Sequence, residues 1–158
     1  MQKITPFLWF NEQAEEAANF YVSIFQNSKV NNVSRCGDGG PRPKGSVMVV
    51  SFQLEGQNFT AMNGGPQYTF TPAISFMVSC ESQSEVDDFW EKLGAGGKPG
   101  RCGWLQDKFG VSWQIIPKDL GRLMSDPDPA KAAKVMNALL RMDKIDIAKL
   151  EQASEGTG

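Results

Sequence analysis

Apolar and polar positions along the chain change period several times, and each change marks an element. Residues 3–10, Lys-Ile-Thr-Pro-Phe-Leu-Trp-Phe, form an apolar, β-rich run that predicts a first strand. Ala14, Ala17, Ala18, Tyr21, Ile24 and Phe25 then fall on one stripe of an amphipathic helix. Asn11 is the expected cap, with Glu12 in the first turn. Asn27-Ser28 ends the helix, and Lys29 to Cys36 alternates weakly, as a strand. Gly37 to Gly45 is a loop by composition. Val47 to Leu54 reads as a strong strand, Glu55-Gly56-Gln57 as a turn, and Asn58 to Asn63 as its hairpin partner. The order is β-α-β-β-β.

The order then begins again. Pro72 to Cys80 alternates through Ile74, Phe76 and Val78, and Ser82 followed by Glu85 is a capping-box signature. Val86, Phe89, Trp90 and Leu93 give a second helical stripe, which Gly94, Gly96 and Gly97 stop. Arg101 to Gln106 and Val111 to Ile116 are two further strands around a turn at Asp107-Lys-Phe-Gly110. The pair Phe20-Tyr21 recurs as Phe89-Trp90, an offset of 89 − 20 = 69 residues. An internal repeat explains both the pair and the succession of elements. The tail differs: Asp128 is placed as N-cap with Pro129 at the first helical position. Ala132, Val135, Met136, Leu139 and Leu140 form a stripe, a short helix over Ile145 to Leu150 follows, and Glu155 onward is expected to fray.

Composition narrows the chemistry. With 158 residues and 41% hydrophobic content, the chain has an ordinary domain's core and is not disordered. A net charge of −2 lacks the positive surplus that nucleic acid or an anionic membrane requires. There is no histidine, which removes Ser-His-Asp and Cys-His nucleophile pairs and His-bearing zinc sites. Cys36, Cys80 and Cys102 are odd in number and lack CxxC spacing. Reduced thiols in the cytoplasm are the expectation, because no signal peptide or membrane span is discernible.

The chain resembles the vicinal oxygen chelate superfamily of glyoxalase I, ring-cleaving dioxygenases and fosfomycin-resistance proteins. Within it, the resemblance is to the PhnB-like, 3-demethylubiquinone-9 3-methyltransferase-like group. The residues carrying it are Ala61-Met-Asn-Gly-Gly65, Ile74-Ser-Phe-Met-Val78, Trp90-Glu-Lys-Leu93 and the long irregular stretch from Cys102 to Pro117. The resemblance implies an α+β fold of paired βαβββ modules forming a curved-sheet cup. Module one covers about 3–65, module two about 72–117, and a helical tail about 118–153, all within one glyoxalase-like domain. It also implies a homodimer and, in metal-dependent relatives, two ligands from each half holding a divalent cation as a Lewis acid. Carried over residue by residue, those positions fall on Ser75 and Gln114 in the second half, and near Thr5 or Pro6 and Thr60 to Asn63 in the first. None is a carboxylate, imidazole or thiolate, so no metal site and no cofactor are expected.

Gln114, Ser75 and Asn63 are the candidate polar contacts of the cup, and Trp104, Trp9 and Met77 its candidate apolar lining. Strand alternation puts Ser112, Gln114 and Ile116 on one face, with Trp113 and Ile115 on the other. For the remaining candidates the structural reading is preferred. Cys102 reads as a small core residue rather than a nucleophile, and Asp107 as a turn residue rather than a general base. The loop with Arg42 and Lys44 reads as a plain hairpin connection before a lid or phosphate cradle. The leading functional reading is a metal-free small-molecule-binding protein. Its alternatives are a glyoxalase- or dioxygenase-type enzyme with a divalent metal, and the 3-demethylubiquinone 3-methyltransferase of the group's label. The Gly-rich strand-to-helix turn of a typical S-adenosylmethionine enzyme is missing, which counts against the last.

Overall fold

The computed structural model describes residues 2–156. The chain divides into two compact units, Met1–Phe70 and Thr71–Gly158. The elements of the first are β1 (Phe7–Phe10), α1 (Ala14–Ile24), β2 (Lys29–Arg35), β3 (Val47–Leu54) and β4 (Gln57–Asn63). Its four-stranded sheet has the order β1-β4-β3-β2, with β1 parallel to β4 and the other neighbours antiparallel. The crossover from β1 to the rest of the sheet is α1, as a parallel pair demands.

Ala14, Ala17, Ala18 and Tyr21 are the buried stripe of α1. The small residues bring the helix close to the sheet, and aromatic side chains fill the remaining volume. Tyr21 stacks on Phe52 at 6.4 Å between centroids, and Phe52 on Phe59 at 5.4 Å. The β3–β4 turn is two residues, Glu55 (φ 48) and Gly56 (φ 80), both in the left-handed region that a type I′ hairpin requires. Asn11 does not cap α1. Gln13 is the cap residue and supplies no side-chain bond; Ala14 N donates instead to Asn63 Oδ1 at 2.8 Å, from the end of β4.

The second unit comprises β5 (Ser75–Cys80), α2 (Gln83–Gly94), β6 (Lys98–Pro99), β7 (Trp104–Gln106), β8 (Ser112–Pro117), α3 (Lys118–Met124), α4 (Pro129–Leu139) and α5 (Ile147–Ser154). Its sheet runs β5-β8-β7-β6, the same connectivity as the first, again with a parallel pair next to the crossover helix. The repeat holds residue for residue at the helix starts, 83 − 14 = 69. It does not hold for the faces. Tyr21 is the buried aromatic of α1, whereas in α2 it is Phe89, the counterpart of Phe20, and Trp90 is only half-buried. Val86, Phe89 and Leu93 form the buried stripe of α2.

Ser82 caps α2 as expected, accepting from Glu85 N at 3.2 Å. Glu85 completes the exchange by accepting from Glu81 N at 2.9 Å. Residues 101–103 are not strand. Cys102 and Gly103 have φ of 61 and 84, so the chain turns there, and the strand that follows α2 is the two-residue β6, which carries no readable pattern.

The tail has one more helix than its sequence suggests, because α3 continues directly from β8. Asp128 caps α4 with Pro129 in the first turn, and Asp146 caps α5. Leu123, Val135, Leu139, Ile145 and Leu150 form a separate buried cluster, packed against Cys102 of the turn before β7 and Ile116 of β8. Met136 and Leu140, the other half of the predicted stripe, are exposed. The tail is tied to the module through its backbone: Cys102 N donates to Met142 O at 2.9 Å and Gly103 N to Asp143 O at 2.8 Å. Gln83 at the start of α2 donates to Ile145 O and accepts from Ile147 N. Glu155 and Gly156 close α5 with backbone bonds to Glu151 and Ala153 rather than fraying, and the residues beyond lie outside the described part.

Candidate functional site

One face of the second sheet is covered by α2; the other carries the candidate residues. Pairing register sets them in rows. Met77, Gln114 and Trp104 lie side by side across β5, β8 and β7, and Ser75, Ser112 and Gln106 form the next row. The amide of Gln114 joins the rows, donating from Nε2 to Ser75 Oγ at 2.9 Å, a diagonal pair within the reach of a long side chain. Ile116, in a third row with Ser79, is packed against the tail cluster, so the tail closes one end of this face. At the open end Met77 is 62% exposed, an unusual environment for a large apolar side chain at the centre of a strand.

A cavity of about 380 Å³ adjoins the rows at the sheet edge. It is lined by Pro72, Lys98, Pro99, Trp104, Gln106 and Ser112, among others. Lys98 and Gln106 belong to the site although nothing in the sequence singled them out. Alternation from Trp104 would have placed Gln106 on this face, but Lys98 sits on a strand too short to show any alternation.

In the first unit, Trp9 lies on the sheet face opposite α1, beside Met62, and is half-buried. Its Nε1 donates to Gly65 O at 2.9 Å, and Tyr68 meets its ring edge-on at 5.1 Å. Gly64 lies under the ring, where an added Cβ would come within 2.3 Å of an indole carbon. Phe7, on the same face, is 59% exposed.

Asn63 does not join this face. Its neighbours in register put it on the α1 side, where it is buried, and both ends of its amide are engaged. Oδ1 accepts from Ala14 N, and Nδ2 donates to Val47 O at 3.1 Å. The expectation that it contributes a polar contact to the open face is corrected: β4 ends on the opposite phase of the alternation, and the amide serves to start α1.

Other titratable and nucleophilic groups have structural surroundings. Asp107 is buried and accepts from Phe109 N and Val111 N through Oδ1, and from Trp113 Nε1 through Oδ2, at 2.8, 3.0 and 2.9 Å. It locks the turn before β8, as its place in Asp-Lys-Phe-Gly suggests. Cys102 points its Sγ at Leu139 O, 3.6 Å away, within the tail interface. Burial pushes the Cys80 thiol up to about 12, with the nearby Glu85 carboxylate adding to the effect. Arg42 donates to Asn11 O, and the loop it belongs to joins two antiparallel strands, closed by Cys36 N to Ser46 O.

Ser75 and Gln114 are neutral oxygen and amide donors already bonded to each other, a poor set for a hard divalent cation. Among the described residues no group of three or more His, Cys, Asp or Glu side chains converges as a metal site would require. Neither strand-to-helix junction, Phe10 to Ala14 or Cys80 to Gln83, contains a glycine.

These two modules, each a mixed four-stranded sheet with a crossover helix, have the fold of the vicinal oxygen chelate superfamily. A fosfomycin resistance protein, FosX, from Listeria monocytogenes shares it at a TM-score of 0.51 and 16% identity, over 74% of this chain and 93% of that one. A protein from Pseudomonas aeruginosa aligns at a TM-score of 0.63 with 21% identity, covering 74% and 98%. A putative 3-demethylubiquinone-9 3-methyltransferase, PhnB protein, from Bacillus cereus is 41% identical, with a TM-score of 0.69 over 73% of this chain and 99% of that one. The family model for 3-demethylubiquinone-9 3-methyltransferase matches residues 2–116. The chain therefore belongs to this PhnB-like family, and helices α3 to α5 lie beyond the matched span. No curated protein matches the chain.

Proposed function

We propose that the protein binds a small molecule on the open face of its second sheet, with Gln114 and Ser75 as the polar contacts and Trp104 and Met77 beside them. The observation that carries this reading is the Gln114–Ser75 pair. It orients an amide at the centre of a face whose other central residue, Met77, remains exposed. The Gln114 Oε1 accepts no hydrogen bond among the described residues and is left for a ligand donor. Trp9, with its ring held by Gly65 and Tyr68, offers a fixed aromatic surface on the first module.

The site is read as metal-free because its donors are neutral. Stoichiometric divalent ion in protein purified without chelators, lost in Gln114→Ala, would overturn that part. Thermal shift against a library of small metabolites tests binding itself. A compound that raises the melting temperature of the wild type and not of Gln114→Leu is expected; equal stabilisation of both by every active compound sinks the proposal. Calorimetry with S-adenosylmethionine addresses the methyltransferase in the family's name, and saturable micromolar binding would favour that activity over this reading.

Two further features belong to the proposal. A homodimer is supported by exposed apolar side chains at Phe7 and Ile74, which a second copy would cover; sedimentation equilibrium distinguishes it from a monomer. A cytoplasmic location is supported by three unbridged cysteines. Among the described residues no helix is long and apolar enough to cross a membrane.

A further inference from the structure

We infer that the edge cavity of the second module takes the carboxylate end of a small planar anion, with Lys98 as its counter-charge and Trp104 as its stacking surface. The inference deepens the reading of this face as a ligand surface by naming the ligand's chemistry.

The first observation is a buried hydroxyl that has no partner. Ser112 is only 4% exposed, yet its side chain makes no hydrogen bond among the described residues. Among the described residues no buried side-chain oxygen or nitrogen is sealed off without a partner, so this hydroxyl opens into the cavity it lines. Opening there, the hydroxyl can bond a ligand in place of solvent.

The second observation is charge. Lys98 lines the same cavity, makes no ion pair among the described residues, and no carboxylate shares the lining. The third is the count of available donors. The Lys98 ammonium, the Ser112 hydroxyl and the Trp104 indole N–H are all uncommitted. Gln106 uses one of its Nε2 hydrogens on Gly110 O, 3.2 Å away, and keeps the other together with its Oε1 acceptor. A positive charge with three further donor groups, from Ser112, Trp104 and Gln106, and no negative charge against them, selects an anion. Pro72, Pro99 and the indole supply apolar walls, and about 380 Å³ is near the lower end for a ligand pocket. A planar ring bearing one carboxylate satisfies all of these conditions together.

The test uses the full chain and 2-naphthoate, read by the indole N–H resonances in ¹⁵N-resolved NMR. Naphthoate should shift one indole resonance above all others, and that resonance should be missing from Trp104→Phe. Lys98→Met should weaken binding about fivefold, the discrimination of a partly exposed ion pair. The neutral 2-naphthamide should bind the wild type more weakly by a similar factor. Ser112→Ala, a smaller change that keeps the strand, should also weaken naphthoate. No indole shift up to millimolar naphthoate, or equal affinity of acid and amide, would overturn the inference. Gln114→Leu separates the two readings. If it abolishes every library hit while naphthoate still loses affinity in Lys98→Met, both stand. If it changes no ligand's binding, the central site fails and the edge cavity alone remains.

Discussion

Helices α1 and α2 start at equivalent points of their modules and satisfy their first backbone donors in opposite ways. In α2 the partners are close in sequence: Ser82 Oγ accepts from Glu85 N, and the Glu85 carboxylate accepts from Glu81 N. In α1 the partner is Asn63, 49 residues further along the chain and on another strand. The hydrogen-bond requirement is the same at both ends. What differs is that the first module draws its partner from a distant strand of the sheet, while the second finds it within the helix's own first turn. The turns follow a similar division. The β3–β4 hairpin of module one combines left-handed backbone at Glu55-Gly56 with exposed bonds to residues 26–28, whereas the β7–β8 turn of module two is held by a buried side chain, Asp107.

The largest expected effect tests the second turn. Asp107→Ala would strand three donors, two of them on the backbone, and should destabilise the protein by about 3 kcal/mol in urea unfolding. A loss no greater than that of an ordinary surface substitution would show that water replaces the carboxylate. The comparison of the helix starts is sharpened by a pair of variants. Asn63→Ala leaves a buried amide N–H and a carbonyl without partners and should cost about 2 kcal/mol, against about 1 kcal/mol for the exposed cap in Ser82→Ala. Equal costs would mean that the distant partner gives no more than a local one.

A fourth variant concerns the tail, which module one lacks. Gln83→Ala removes both bonds to Ile145 and Ile147 and should cost about 1 kcal/mol, with faster proteolysis confined to α3–α5. Unchanged digestion would indicate that the tail's apolar cluster suffices to hold it. The smallest effect is a pH dependence. Lys144, followed by Gln83, bonds the Asp87 carboxylate and holds it below the usual carboxylate range. A folded value below the unfolded one contributes stability that is complete above the unfolded value and lost as the pH falls through the folded one. Acidification should therefore loosen the tail. Because both side chains are nearly half exposed, the contribution is under about 1 kcal/mol. Asp87→Asn should flatten this part of the acid limb of the stability profile; an unaltered limb would assign it to other groups.

The β-α-β-β-β repeat, the caps at Ser82 and Asp128 and the turn at Asp107 were all legible along the chain, because each depends on residues within a few positions of one another. The helix α3 was not, since it follows β8 without any intervening polar break, and β6 is too short to alternate. The site was legible in part. Ser112, Gln114 and Ile116 share a face wherever β8 is a strand, and Ser75 came to Gln114 through pairing that the parallel register supplied. Asn63 and Lys98 were beyond reach for opposite reasons.

Local chemistry thus determined where helices and strands begin and which side chains alternate together: backbone donors near a helix start, and apolar positions at a fixed period, act over a turn or two. Tertiary packing decided the rest. A strand's alternation fixes two sets of residues without saying which set meets the helix, and a one-residue change of phase exchanges them. Only once α1 had settled on β4 was Asn63 committed inward, and only once β6 had paired with β7 did Lys98 come to the cavity that holds Ser112.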